Sequence, residues 1–344
     1  MPDSPHILVI RRRYLGDIVL LGSLFRNLKL HWPRARIAVL CEPAYADVLT
    51  MNPDVAEVFP FPASTGRWPG LVGRLRRARF SHVLDLDNRD KTAFLTRVTG
   101  APVRLTLRHG EKLHLPSFYT GSEVLPVEFL ADRHITDLYL HLLGNLGVPV
   151  ATREIRLIPR TDELAYARQL LASLHAQTSG PCLLVHPGSR SPWRVWPAAQ
   201  YAAVIDCLQH AGKARVALIA GPGEQATVQE ITRHLRTPVV HLDGKYTIPQ
   251  LAAIFASFNA LLCHDSGPMH LAAAVGTHVV ALFGSQPLNI WQPVGEGHVT
   301  LQPPLPCTHC VSPGQCQPQD SYHNHCVRNI TAERVYEAVA GALK

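Results

Sequence analysis

Short apolar runs alternate with segments of helical periodicity along most of the chain. In the first half, the apolar runs that predict strands lie at residues 7–10, 37–40, 55–59, 82–87, 103–105 and 155–158. Segments that predict helices lie at residues 18–30, 44–51, 71–80 and 134–146. A basic loop is predicted at 108–120. Alternation of this kind is typical of parallel sheets covered by helices.

The same pattern starts again near residue 160. Strands are predicted at residues 182–185, 216–220, 239–242, 260–263 and 278–283. Helices are predicted at residues 164–174, 198–210, 224–235, 248–258, 271–275 and 332–343. We therefore predict an α/β protein of two Rossmann-like domains, residues 1–159 and 160–330, whose parallel sheets face a central cleft. The final helix, within residues 331–344, could pack back on the first domain.

Length and charge add to this picture. A chain of 344 residues has the usual length of two domains. Its net charge of +7 comes almost entirely from the first half: residues 1–156 hold 21 Lys and Arg against 15 Asp and Glu, and the remainder holds 12 against 11. This predicts an anionic partner for the first half, such as a phosphorylated substrate or a membrane surface. A nucleic-acid partner is disfavoured, because no basic motif with interleaved aromatic residues is present.

The sequence shows neither a signal peptide nor a membrane span. The first six residues lack a basic segment followed by an apolar core, and no apolar run approaches the roughly 18 residues that a spanning helix needs. We expect a cytoplasmic protein that touches a membrane without crossing it. The arginine-rich segment at 71–80 could lie against acidic lipid headgroups, although such a segment is more often a solvated helix face.

The stretch at residues 264–270, His-Asp-Ser-Gly-Pro-Met-His, joins a predicted strand to a predicted helix. Ser266 is a suitable N-cap, and proline is tolerated in the first helical turn. A helix start favours a phosphate group, and ligands of open α/β sheets bind at the carboxyl ends of strands. Asp265 and His270 could reach the same ligand. The alternative is an ordinary strand–turn–helix junction.

Two further turns in the second half have the same character, at residues 187–194 and 221–224. Each follows a predicted strand and contains glycine together with hydroxyl or charged side chains. With the stretch at 264–270, they could surround a nucleotide diphosphate.

Asp17 holds the corresponding position in the first half, at the turn between the first strand and the first helix. It could act as a general base, or it could only cap the helix. Arg11, Arg12 and Arg13 precede it and could hold phosphates or carboxylates of an acceptor. The pair Asp85 and Asp87 at another strand end resembles the metal-binding pair of some sugar transferases, but strand-end aspartates are frequent.

This layout suits a sugar transferase. Displacement at an anomeric carbon needs a base that removes the proton of the acceptor hydroxyl. It also needs positive groups that stabilise the departing diphosphate.

At these residues the chain resembles the bacterial heptosyltransferases of glycosyltransferase family 9. The motifs that carry the resemblance are Leu15-Gly16-Asp17-Ile18, Pro187-Gly188-Ser189, Arg194-Val195-Trp196-Pro197, Asp265-Ser266-Gly267-Pro268-Met269-His270 and Ala281-Leu282-Phe283-Gly284-Ser285. The resemblance implies a GT-B fold, an inverting mechanism without a metal and an ADP-heptose donor. The implied acceptor is the lipid A–inner-core oligosaccharide of lipopolysaccharide, at the cytoplasmic face of the inner membrane.

The resemblance also implies roles for individual residues. Asp17 would be the base, and Arg194 would steady the diphosphate at a position where the family usually has lysine. Donor binding would involve Gly188, Ser189, Glu224, Asp265, Ser266, Gly267 and His270. Acceptor binding would involve Arg11, Arg12, Arg13, Arg108 and Lys112.

Four of the eight cysteines cluster near the end of the chain, at Cys307, Cys310, Cys316 and Cys326. Four thiols this close could hold a structural zinc ion, and free thiols or a disulfide are the alternatives. No cofactor is expected in catalysis.

Two other classes of function remain open from the sequence. One is a transferase or epimerase that uses another nucleotide sugar. The other is a non-catalytic protein that binds a nucleotide sugar, although binding alone would not need a carboxylate at Asp17.

Overall fold

The computed structural model describes residues 4–172, 180–189, 194–304 and 326–343. The chain divides into two compact units, residues 1–158 and 159–344. Each unit is built on its own six-stranded parallel sheet with helices on its faces.

The first unit has the strand order β3-β2-β1-β4-β5-β6. Its strands are β1 (His6–Ile10), β2 (Arg36–Cys41), β3 (Glu57–Pro60), β4 (His82–Asp85), β5 (Val103–His109) and β6 (Gly121–Leu125). Its helices are α1 (Leu15–Leu20), α2 (Gly22–His31), α3 (Ala46–Leu49), α4 (Trp68–Arg77), α5 (Asp90–Val98) and α6 (Ile135–His141). The apolar run of β1 is fully buried beyond His6, as expected for a central strand covered on both faces.

The second unit has the strand order β12-β11-β10-β7-β8-β9. Its strands are β7 (Cys182–His186), β8 (Arg215–Ile219), β9 (Val240–Leu242), β10 (Ala260–His264), β11 (His278–Leu282) and β12 (Val299–Leu301). Its described helices are α7 (Thr161–Leu170), α8 (Ala198–His210), α9 (Gln225–His234), α10 (Ile248–Ala256), α11 (Gly267–Ala274), α12 (Leu288–Trp291) and α13 (Ala332–Ala342). None of the helices in the described ranges combines the length and the apolar character needed to cross a membrane.

The final helix belongs to the second unit. Val335 and Val339 of α13 are completely buried in the same core as Val280 and Leu282 of β11. The helix also contacts α8. The apolar face of this helix is therefore used within the second unit, and the expectation that the helix packs back on the first domain stays a prediction.

Several elements differ from the sequence-based expectations. Residues 155–158 form no strand: Leu157 is buried and Ile158 donates one backbone hydrogen bond to Met51, without a ladder. The predicted loop at 108–120 begins inside β5. The pattern also missed α5. It missed the edge strands β6 and β12 because they bury few side chains: only Leu125 of β6 and only Leu301 of β12 are buried.

Each sheet has one point where the strand order reverses. In the first unit this point lies between β1 and β4, and in the second it lies between β7 and β10. In open α/β sheets, ligands bind in the crevice outside the carboxyl ends of the strands at such a point. The residues that follow these four strands are therefore the candidates for function.

Candidate functional site

An ion pair between a half-buried arginine and a buried aspartate occupies the reversal point of the first sheet. Arg11 directly follows β1, and its Nη2 donates to Oδ1 of Asp17 at 2.5 Å. Its Nη1 donates to the Leu86 carbonyl at 3.0 Å and lies 3.5 Å from Oδ1 of Asp87. Burial opposes the charge of Arg11, but the neighbouring Tyr139, Asp17 and Asp87 raise its pKa overall.

Tyr139 of α6 gives Asp17 a second contact. Its hydroxyl donates to the same Oδ1 at 2.6 Å, and the ring is almost completely buried. Burial and the charge of Asp17 raise the pKa of Tyr139 well above its ordinary value. Tyr139 is therefore a neutral donor, and together with Arg11 it fixes the orientation of the Asp17 carboxylate.

Asp17 does not cap α1. It is the third residue of the helix, the N-cap is Tyr14, and no side chain caps this helix start. The interpretation of Asp17 as a capping residue is therefore wrong. Its buried carboxylate is held by tertiary contacts, and both of the contacts described above use Oδ1.

The other basic candidates of the first unit are distributed around the Arg11–Asp17 pair. Arg12 and Arg13 both bind Oε1 of Glu42, at 2.8 and 2.7 Å. Arg108 donates to the Asp87 carbonyl at 3.2 Å and pairs with Glu111, while Lys112 is exposed. Of the five predicted acceptor-binding residues, the structure places only Arg11 in contact with Asp17.

Asp85 has a structural position inside the first unit. The carboxylate is fully buried and accepts hydrogen bonds from the Tyr119 hydroxyl at 2.7 Å and from the backbone N–H groups of Asp87 and Asn88 at 3.0 Å. Burial raises the pKa of Asp85 from 3.8 to about 6, against these hydrogen bonds. These contacts fix the turn that follows β4.

The raised pKa of Asp85 predicts a pH dependence of stability. The folded protein binds this proton more tightly than the unfolded chain, so the stabilisation is present below about pH 4 and is lost as the pH rises through about 6. Relative to Asp85→Asn, the parent protein should lose about 3 kcal/mol of unfolding free energy over that window. Urea unfolding of both proteins at several pH values measures the difference. A constant difference would contradict the assignment.

A second ion pair occupies the reversal point of the other sheet. Asp265 follows β10, and its Oδ2 accepts a hydrogen bond from Nη1 of Arg194 at 3.1 Å. Burial raises the pKa of Asp265 to about 6, and Arg194 partly offsets this effect. The structure thus joins two residues from predicted site turns that lie 71 positions apart.

His264, the last residue of β10, anchors the segment that carries Arg194. Its Nε2 accepts a hydrogen bond from the backbone N–H of Trp196 at 2.9 Å and lies 3.2 Å from the Tyr201 hydroxyl. Burial, followed by the neighbouring His186, lowers the pKa of His264 to about 3. The neutral ring therefore acts as an acceptor and fixes the backbone two residues beyond Arg194.

Glu224 and Gly188 are in close contact near the Asp265–Arg194 pair. Oε2 of Glu224 lies 3.2 Å from Nε2 of the buried His186, and the same oxygen accepts the backbone N–H of Gly221 at 2.7 Å. Burial raises the pKa of Glu224, but the contacts with His186 and the Gly221 backbone and the nearby His264 together outweigh burial, so the pKa is lowered overall. A side chain at Gly188 would overlap the Glu224 carboxylate.

The start of α11 lies at the same edge. Ser266 occupies the N-cap position but makes no capping hydrogen bond, because its hydroxyl donates to the His264 carbonyl at 3.2 Å. Gly267 is the first helical residue, and His270 is buried in the first turn. The hydroxyl of Ser266 therefore does not compete with an anion for the first N–H groups of the helix.

The contact between Gly188 and Glu224 leads to a test. Gly188→Ala should displace the Glu224 carboxylate from His186 and Gly221, costing about 1–3 kcal/mol of stability. Gly73→Ala in α4 is a matched control, because no atom lies within 4 Å of the added Cβ. Thermal unfolding of the two variants and the parent protein measures the effect. Equal behaviour of the two variants would contradict the proposed packing.

The cysteine cluster is described only in part. Cys307, Cys310 and Cys316 lie outside the described residues, whereas Cys326 is buried. Within the described ranges, no group of three or more histidine, cysteine, aspartate or glutamate side chains is arranged to hold a metal ion. The zinc site stays a prediction.

Comparison with known proteins identifies the family. The model of glycosyltransferase family 9 (heptosyltransferase) matches residues 70–319. The chain belongs to glycosyltransferase family 9. The matched segment contains all the predicted donor residues together with Arg194, and it begins after Asp17 and Arg11. The family model describes a glycosyltransferase, not an epimerase or a non-catalytic binding protein.

This family 9 glycosyltransferase aligns with individual relatives over more of its length than the family model covers. It is 27% identical to lipopolysaccharide heptosyltransferase 3 of Escherichia coli over 82% of this chain and 84% of that protein. It is 26% identical to lipopolysaccharide heptosyltransferase 2 of Escherichia coli strain K12 over 98% of each chain. The solved structure of the E. coli ADP-heptose lps heptosyltransferase II has a TM-score of 0.77 at 23% identity, covering 98% of both chains. This likeness confirms the predicted GT-B fold.

Proposed function

We propose that this glycosyltransferase moves a heptose from ADP-heptose to the inner core of lipopolysaccharide, with inversion at the anomeric carbon. The observation that carries the proposal is the pair of contacts between a buried aspartate and a half-buried arginine at the two reversal points, Asp17 with Arg11 and Asp265 with Arg194. The relatives' names support the sugar and the acceptor, and the name of one solved relative includes ADP-heptose.

Asp17 acts as the general base in this proposal. Arg11 and Tyr139 hold Oδ1, so Oδ2 is the oxygen that takes the proton of the acceptor hydroxyl. A positioned base of this kind contributes about 10²- to 10⁴-fold to the rate. The acceptor oxygen attacks the anomeric carbon directly, and one displacement inverts the configuration.

Arg194 and the start of α11 receive the diphosphate. One nitrogen of the Arg194 guanidinium binds Asp265, and the other N–H groups of the fork can donate to phosphate oxygens. The partial positive charge of the helix start acts on the same group. These fixed charges stabilise the negative charge that develops on the leaving ADP.

Catalysis without a metal ion follows from this arrangement as a prediction. If Arg194 and α11 neutralise the leaving group, transfer should continue at about the parental rate after treatment with a chelator. The measurement is the initial rate of ADP release before and after treatment with EDTA, with and without added magnesium. A strict requirement for magnesium would contradict this part of the proposal.

Nucleotide preference separates this proposal from a transferase that uses another nucleotide sugar. A ligand that binds only the folded protein raises the melting temperature by mass action. ADP should therefore raise the melting temperature more than UDP or GDP at equal concentration. A larger shift with UDP or GDP would favour the alternative donor.

Contact with the inner face of the inner membrane is part of the same proposal. The α4 segment presents the exposed residues Arg76 and Arg77, while Arg74 packs over the Phe59 ring with its Cζ 4.7 Å from the ring centroid. Exposed basic residues of this kind are attracted to anionic lipid headgroups. The protein should bind vesicles of anionic lipid, and high salt should abolish this binding.

A further inference from the structure

A cavity of about 380 Å³ opens beside the carboxyl ends of β1, β2 and β3. Its lining includes Arg12, Arg13, Glu42, Phe61, Trp68 and Lys91. Arg12 and Arg13 follow β1, Glu42 follows β2 and Phe61 follows β3, so the cavity lies at the functional edge of the first sheet. Its volume is at the lower end of the range for small-molecule sites, roughly 300–1,000 Å³. This size suits one sugar unit.

The walls of the cavity are held in place before any ligand binds. Arg12 donates to Glu42 at 2.8 Å, and its guanidinium lies 4.0 Å from the centroid of the Phe61 ring. Phe61 in turn packs against Trp68 in an edge-to-face arrangement, with ring centroids 5.4 Å apart. A half-buried indole fixed in this way offers an apolar face to the C–H groups of a sugar ring.

The charge of the cavity favours a doubly charged anion. Three cations, Arg12, Arg13 and Lys91, and one carboxylate, Glu42, give a net charge of +2. Lys91 is the second residue of α5, and a cation in the first turn of a helix is unfavourable for stability. The helix α4 begins at Trp68 without an acidic residue in its first turn. An anion in the cavity would complement the start of α4, whereas α5 already has Asp90 in its first turn.

We propose that this cavity binds a phosphomonoester carried by a sugar of the acceptor. A phosphomonoester has a charge of about −1.5 to −2 at neutral pH, which matches the cavity better than the single charge of a carboxylate. The phosphate contacts Lys91 and Arg13, and the ring packs on Trp68. The inference rests on the proposed function, in which the first unit binds the acceptor. In this proposal Arg12 and Arg13 bind the phosphosugar, whereas Arg11 orients the Asp17 carboxylate.

Direct binding of a simple probe to the full chain tests the cavity without a transfer assay. By calorimetric titration, glucose 6-phosphate should bind more tightly than glucose, glucuronate or inorganic phosphate. Lys91→Ala should weaken the binding of glucose 6-phosphate by about 10-fold or more, the usual effect of losing a charged hydrogen bond. Arg97→Ala removes one exposed charge from the same helix outside the cavity lining and should leave the affinity unchanged. Trp68→Leu should weaken the binding of glucose 6-phosphate more than the binding of inorganic phosphate.

Each other outcome overturns the inference. Equal affinity for glucuronate would show that the cavity takes a carboxylate sugar, and equal loss in Lys91→Ala and Arg97→Ala would place the binding elsewhere. Absence of binding by any probe would also overturn it. Failure of the proposed function is separate: glucose 6-phosphate would still bind while ADP-heptose was not consumed. Conversely, intact transfer with an unchanged acceptor KM in Lys91→Ala would refute only the cavity.

Discussion

Asp17→Asn should lower kcat for heptose transfer by at least about 10²-fold, because asparagine cannot take the proton of the acceptor hydroxyl. The affinity for ADP should stay near the parental value, since the proposed donor residues belong to the other unit. The substitution also removes the charge that pairs with the half-buried Arg11. We therefore expect a loss of about 1–3 kcal/mol of stability. Steady-state kinetics per folded protein, at a temperature where both proteins are native, measure the catalytic effect.

Asp87→Asn is the matched control for this result. Asp87 lies 3.5 Å from the same Arg11 guanidinium, so this variant removes an equal charge from the same cluster. Its carboxylate also accepts the Arg12 backbone N–H at 3.1 Å, which asparagine can replace. The control should retain most of its turnover. If the two variants lose turnover equally, the effect belongs to the cluster as a whole and Asp17 has no special role as the base.

Arg194→Ala should lower turnover by about 10²-fold, the usual scale for losing one group that stabilises developing charge. Arg194→Lys should restore much of the lost turnover, because lysine keeps the charge. The recovery should be incomplete, because lysine lacks the planar fork that binds Asp265 and phosphate together. Without Arg194, the pKa of Asp265 should rise further above about 6, because Arg194 is what lowers it. Rates measured over a pH series would show both effects.

Arg233→Ala is the control for the charge change. Arg233 is exposed on α9, where it pairs with Glu230 at 2.6 Å, and its removal should leave kcat unchanged. ADP binding to Arg194→Ala by calorimetry should fall less than kcat falls, because the guanidinium stabilises the developing charge more than the ground state. A variant with parental kcat and weak ADP binding would show that Arg194 only holds the donor.

The strand ends could be predicted because they depend on local pattern. The run from Ala260 to Cys263 is apolar, and Ser266, Gly267 and Pro268 mark the next helix start, so Asp265 had to lie at a carboxyl edge. The same argument placed Asp17 near the first turn, although its position inside α1 removed the capping interpretation. Local pattern was sufficient for the alternation of elements and therefore for the fold.

Partners distant in sequence could not be predicted in this way. Tyr139 reaches Asp17 across 122 residues, and His186 reaches Glu224 only when β7 and β8 pair in parallel. Tyrosine in an amphipathic helix and histidine at the end of a buried strand carry no signal of such a role. Glu42, which binds Arg12 and Arg13, follows a strand without a recognisable motif. These contacts depend on the packing of whole elements.

Acceptor-dependent release of ADP from ADP-heptose is the measurement that tests the central claim most directly. The unmodified protein should release ADP in the presence of lipopolysaccharide inner-core acceptor, form one product glycoside of inverted configuration per ADP, and show only background release without acceptor. Equal release with and without acceptor, or no release from ADP-heptose in either case, would contradict the central claim.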